Sequence, residues 1–171
     1  NRFLTSSLAK APRSFDLNLW TQLKALVYYM WLYCMPHKLS VEHAFAEANS
    51  SADLAVVLAG LLLFSLAALA LLGRRRVESL AFAFFVLLML PTTLMPLNIL
   101  VSERRSYLAS AGLIGIAVWA WGRLANRQRN WGIVVGGCLC LFYTSFAWQR
   151  NPVWASDLSL WKDAVAKGPS M

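Results

Sequence analysis

The chain has 171 residues, of which 58% are hydrophobic and only 14% charged, with a mean hydropathy of +0.52. A soluble domain of ordinary composition carries roughly 25% charged residues, so these values exclude one and indicate an integral membrane protein. The net charge of +8 does not point to nucleic acid, because the basic residues lie between apolar runs, where they orient membrane helices.

The reading along the chain is all-α: a polytopic membrane helix bundle over residues 1–149 and a short tail over 150–171. Residues 1–16 are basic and broken at Pro12–Ser14. Leu17–Pro36 combines a polar start (Asn18, Thr21, Gln22, Lys24) with an aromatic run (Tyr28, Tyr29, Trp31, Tyr33). It suits either a fifth span with Lys24 snorkelling or a helix lying in the interface, and the two readings stay open here. The connection from His37 to Ser51 holds His37, Glu42, His43 and Glu47, but their spacing matches no metal-ligand signature, and neither metal nor cofactor is assigned.

Four spans follow: Leu54–Gly73, Ser79–Val101, Ser106–Gly122 and Trp131–Gln149. The first contains one side-chain hydrogen-bonding group, Ser65. Pro91 and Pro96 interrupt the second, freeing backbone carbonyls that lipid cannot satisfy, so its outer end is expected against protein or a cavity. The Gly136–Gly137 pair in the fourth permits close helix packing. Cys34, Cys138 and Cys140 form no disulfide framework. Arg74, Arg75, Arg76, Arg123, Arg127 and Arg129 gather on one side of these spans, which the positive-inside rule makes cytoplasmic. The tail is then extracytoplasmic. In it Ser156 can cap a helix from Asp157 to about Lys167, with Leu158, Trp161 and Val165 on one apolar stripe that must dock on something.

The stretch Ile99–Gly112 is the one place where acid, base, tyrosine and serine meet between two long apolar runs. With a helix running on from Ser102, Glu103, Tyr107 and Ser110 fall at i, i+4 and i+7, one face expected to look into the protein. Arg104 and Arg105 would sit near the helix N-terminus, where partial positive charge adds to their own. A guanidinium there can grip a phosphate with two parallel bonds while Glu103 holds the other arginine or an acceptor hydroxyl. The plainer reading is that Glu103 pairs with an arginine and Tyr107 anchors the interface.

Three stretches together resemble the C-terminal membrane half of the tetratricopeptide-repeat O-mannosyltransferase-like proteins, including their bacterial relatives. The first is Leu19-Trp20-Thr21-Gln22 with its aromatic run and Pro36-x-x-Leu39-Ser40-Val41-Glu42. The second is Glu103-Arg104-x-x-Tyr107-Leu108-Ala109-Ser110-x-Gly112, and the third runs Arg150…Trp154…Leu160-Trp161…Ala164…Pro169. Ala109 stands where the family has proline, and Glu42 where it usually has aspartate. The resemblance implies a multi-span glycosyltransferase in a bacterial inner membrane, using a polyprenyl-phosphate-linked sugar, with a tail that leads into a repeat array. It favours reading Glu103, Arg104, Arg105, Tyr107 and Ser110, grouped above by spacing and charge, as the substrate site for the lipid phosphate. The family's acidic catalytic residues lie in an N-terminal half with no counterpart here, so no catalytic residue is named and the chain is expected to be at most a second half. The competing expectation is a non-catalytic subunit that packs with other membrane subunits in a larger complex.

Overall fold

The computed structural model describes residues 13–36, 39–41, 43, 45–72, 76–96, 99–127 and 129–167. Within them the chain is helical without strands: α1 (Phe15–Cys34), α2 (Leu54–Leu72), α3 (Arg76–Leu94), α4 (Glu103–Arg127), α5 (Arg129–Arg150), a 3-10 turn at Asn151–Trp154, and α6 (Asp157–Lys167). Three segments are long and apolar enough to cross a membrane: Leu54–Leu72, Val77–Leu94 and Arg129–Trp154.

Burial runs opposite to hydropathy. The span in α2 has the highest hydropathy, 2.7, yet only 11% of it is buried. Leu58, Leu61, Phe64, Leu69 and Leu72 all face outward. A water-soluble monomer rarely exposes such a continuous apolar face, and these helices fit a lipid surround.

The core forms instead around α1. Ser14 caps it by accepting the Leu17 N–H, and the helix stops before Pro36 with the Met35 N–H bonded to the Trp31 carbonyl. Its inner face carries Asn18, Thr21, Gln22, Ala25, Leu26, Tyr29 and Leu32, the three-to-four spacing of one helical stripe. Ala25, Leu26, Tyr29 and Leu32 form one cluster with Phe85 and Met89 of α3, Val101, and Ala109 of α4.

The direction of α1 against the other helices follows from its partners at its two ends. Asn18 reaches the last turn of α3, at the Thr93 carbonyl, and Tyr33 reaches the first turn of α4, at the Ser106 carbonyl. Roughly 22 Å of helix separates Asn18 from Tyr33 at 1.5 Å per residue, yet both partners belong to the same end of the bundle. Helix α1 therefore runs across that end rather than along the bundle, and it is not among the apolar spans.

The expected span Ser79–Val101 is corrected at its second half: the helix ends at Leu94, and residues 95, 96 and 99–102 are irregular. Pro91 and Pro96 lack the N–H groups that would continue the ladder. Carbonyls freed at this break are taken by α1, with Asn18 Nδ2 donating to Thr93 at 2.8 Å and Gln22 Nε2 to Leu100 at 3.4 Å. The outer end of α3 thus faces protein. Helix α4 extends beyond the expected 106–122 at both ends, because Ser102 accepts the Arg105 N–H and starts it earlier.

Among the described residues, helices α3 and α4 share the most extensive helix–helix contact. Gly112 makes it possible, since a Cβ there would collide with the Ala81 carbonyl. Of the Gly136–Gly137 pair, Gly136 lies against the Trp121 ring, where a Cβ would come within 2.9 Å, whereas Gly137 faces open space. Gly132 also approaches Ala125 closely.

Candidate functional site

The irregular stretch before α4 is gripped from two directions. Two tyrosines four residues apart on α1 meet two serines four residues apart on the other strand of chain. Tyr29 Oη accepts the Ser102 N–H at 2.8 Å and donates to the Ser102 carbonyl at 3.2 Å, and Tyr33 Oη donates to the Ser106 carbonyl at 2.6 Å. Burial, the largest influence on each, pushes both phenols above their ordinary 10.0. They stay protonated and act as donors at physiological pH. For Tyr29 the Ser102 hydrogen bond and the Arg105 charge pull the other way without reversing the shift.

The second grip is on Glu103. Its Oε1 accepts the Ser40 N–H at 2.6 Å and lies 3.2 Å from His43 Nε2. The opposite ring nitrogen, Nδ1, lies 3.1 Å from Tyr28 Oη. A carboxylate only accepts, so the proton of the neutral imidazole sits on Nε2, and Nδ1 accepts a hydrogen bond from the Tyr28 hydroxyl. Burial first, and the Glu103 charge second, raise the Tyr28 pKa, consistent with a phenol that donates. The chain Tyr28–His43–Glu103 ties α1, the connecting loop and the start of α4 into one unit.

The five expected site residues separate on this frame. Glu103 is half-buried and bonded to His43, so it pairs with no described arginine. Arg105 turns back and donates to the Ile99 carbonyl at 2.6 Å. Arg104 is exposed at the N-terminus of α4 and makes no ion pair with a described residue. Ser110 is buried and donates to the Tyr107 carbonyl of its own helix. Tyr107 is 81% exposed, contrary to the expected inward face. The inward face of α4 is set by Ser106 and Ala109, and Tyr107 stands roughly 100–160° around the helix from them.

Sequence reasoning undervalued Tyr28, Tyr29, Tyr33, Ser40 and His43. The matched four-residue spacing of Tyr29–Tyr33 and Ser102–Ser106 was visible, but nothing in the sequence says that the two pairs meet. Of the residues with metal-ligating atoms, His43 goes to Glu103 and Glu47 to Arg13 at 3.0 Å. His37 and Glu42 lie outside the described residues, as do Arg74 and Arg75.

Behind Tyr28, a cavity of about 450 Å³ opens between α1 and α2, lined by Lys24, Tyr28, Trp31, Phe45, Leu58 and Leu62 among others. It is apolar except at one edge, where Lys24 Nζ lies 3.5 Å from Asp53 and donates to the Glu47 carbonyl. The tail forms the last part of this end. Helix α6 begins where Ser156 Oγ accepts the Ser159 N–H, and it docks through Ala164, the Arg150–Asp163 ion pair and a 2.7 Å bond from Lys167 to the Leu39 carbonyl. The stripe of Leu158, Trp161 and Val165 faces outward instead. No protein-family model matches this chain, and neither does any curated protein or solved structure.

Proposed function

We propose that this chain is the membrane portion of a glycosyltransferase-like protein that handles a polyprenyl-phosphate-linked sugar, with the start of α4 receiving the lipid phosphate. The observation that carries this reading is the diversion of Glu103. Its carboxylate is held by Ser40 and His43, so it does not neutralise Arg104, which stays exposed at the first turn of α4. Arg105 and the helix N-terminus add positive charge beside it. A phosphate is the natural complement to a planar guanidinium in that setting. The apolar cavity behind Tyr28 offers room for part of a prenyl chain, and the likeness of the Glu103–Gly112 stretch to the O-mannosyltransferase-like motif points to the same chemistry.

In this reading α2, α3, α4 and α5 all cross the membrane. Helix α4 packs along α3 and connects its outer end to the start of α5, so it must return through the bilayer if its neighbours cross. The end of α4 and the start of α5, which carry Arg123, Arg127 and Arg129, are then cytoplasmic, α1 lies in the outer interface, and α6 is extracytoplasmic in a bacterial inner membrane. Labelling of a cysteine placed at position 156 by an impermeant reagent outside the cell tests that orientation.

The site is tested by measuring polyprenyl-phosphate binding to the chain in lipid nanodiscs. Arg104→Lys keeps the charge but removes the planar fork, and is expected to weaken binding at least ~10-fold without changing the melting temperature. Binding that survives Arg104→Lys, Arg104→Ala and Arg105→Ala alike reduces the turn to a membrane anchor. A second reading, a non-catalytic membrane subunit, is favoured by the uncovered stripe on α6; it is the reading left if polyprenyl phosphate does not bind at all.

A further inference from the structure

A second basic site lies where α5 meets α6. Arg150 ends α5, and its Nη1 is paired with Asp163. Its Nε and Nη2 are buried and lack any hydrogen-bond partner among the described residues. Those two nitrogens form one edge of the guanidinium, the side-on fork that fits two oxygens of a single oxyanion. Burying such donors without an acceptor is costly, so the fork is built to be satisfied by something else. Arg150, Gln149, Asp163 and Lys167 line a cavity of about 180 Å³, together with Leu39 and Phe146 among apolar neighbours. At about 30 Å³ per water this equals roughly six waters, space for a tetrahedral oxyanion. Lys167 gives an N–H to Leu39 and sits against both carboxylate oxygens of Asp163, which keeps its ammonium at the cavity wall.

We infer that Arg150, Gln149 and Lys167 form a phosphate site at the foot of α6. The charges facing the cavity are two cations and one carboxylate, Arg150, Lys167 and Asp163. The singly charged phosphate of a diester brings that set to neutrality. The phosphate comes from a lipid head group or from solution, and in either case it fixes the tail to the last span. This site does not rest on the function proposed for Arg104.

The test reads the fork directly. The chain is placed in phosphatidylcholine nanodiscs, and the Arg150 Nε–Hε resonance is assigned with Arg150→Lys. Inorganic phosphate is titrated in, and separately phosphatidylglycerol replaces part of the lipid. The resonance is expected to shift in at least one arm: phosphate alone identifies an ion site, and phosphatidylglycerol alone a head-group site. Gln149→Glu places a carboxylate in the same cavity and should weaken the response at least ~10-fold while the melting temperature is kept. A resonance that stays still in both arms, or a Gln149→Glu variant that responds like the parent, overturns the site.

Discussion

Helices α1 and α2 are neighbours of nearly equal length, 20 and 19 residues, and they invert the usual relation between hydropathy and burial. Helix α2 is the most apolar part of the chain and turns almost all of its surface outward, burying only Val56 and Ala59. Helix α1 contains Asn18, Thr21 and Gln22, and these are among the most enclosed side chains in the protein. The difference lies in what each surface would otherwise meet. In lipid an apolar side chain loses nothing by facing out, whereas an unpaired amide or carbonyl loses several kcal/mol. Leucines therefore go to the perimeter and polar groups seek one another. The break in α3 supplies carbonyls without donors, and α1 supplies donors without acceptors.

Three substitutions break or sharpen this contrast. The largest effect is expected on the outer face of α2. Leu61 is exposed near the middle of the helix, and Leu61→Arg should cost about 3–4 kcal/mol of membrane insertion. A translocon insertion assay measures it; an arginine accepted there without loss would mean that α2 faces water. The next effect is on α1. Tyr29→Phe leaves the volume nearly unchanged but strips the Ser102 N–H and carbonyl of their shared partner. The Ser102 carbonyl keeps the Arg105 N–H, so the loss is the Ser102 N–H left buried without a partner, about 1–3 kcal/mol, read as a lowered midpoint of unfolding in mixed micelles. An unchanged midpoint would show that α1 is held by its apolar residues alone.

The smallest effect belongs to the tail, which docks by charge rather than by either rule. Burial raises the Asp163 pKa, but hydrogen bonds from Lys167 and Arg150 outweigh it and hold the carboxyl below its ordinary 3.8. A depressed folded value stabilises docking above the unfolded value and is lost as pH falls through the folded one. Proteolysis of 154–167 by an acid-active protease should therefore accelerate only below about pH 3.8. In Asp163→Asn that acid-dependent step should disappear, with the tail already loosened at neutral pH.

Much of the architecture was legible in residues taken alone. An uninterrupted apolar run such as Leu54–Leu72 must form its own backbone hydrogen bonds in lipid, so composition dictates both helix and surround. The helix from Asp157 to Lys167 was equally local, fixed by the Ser156 cap. Glu103, Arg104 and Arg105 stood out because charge between two apolar runs is conspicuous. Tertiary structure decided the rest. Whether Leu17–Pro36 lay along or across the bundle depended on where the Pro91–Pro96 break left its carbonyls, a match between segments some 75 residues apart. The partner of Glu103 came from a polar loop with no distinguishing pattern, because His43 gains its role only when α1 brings Tyr28 to its other side. Helical periodicity shows the stripe on α6, yet the docking face was chosen by Arg150 and Leu39, groups that periodicity does not see.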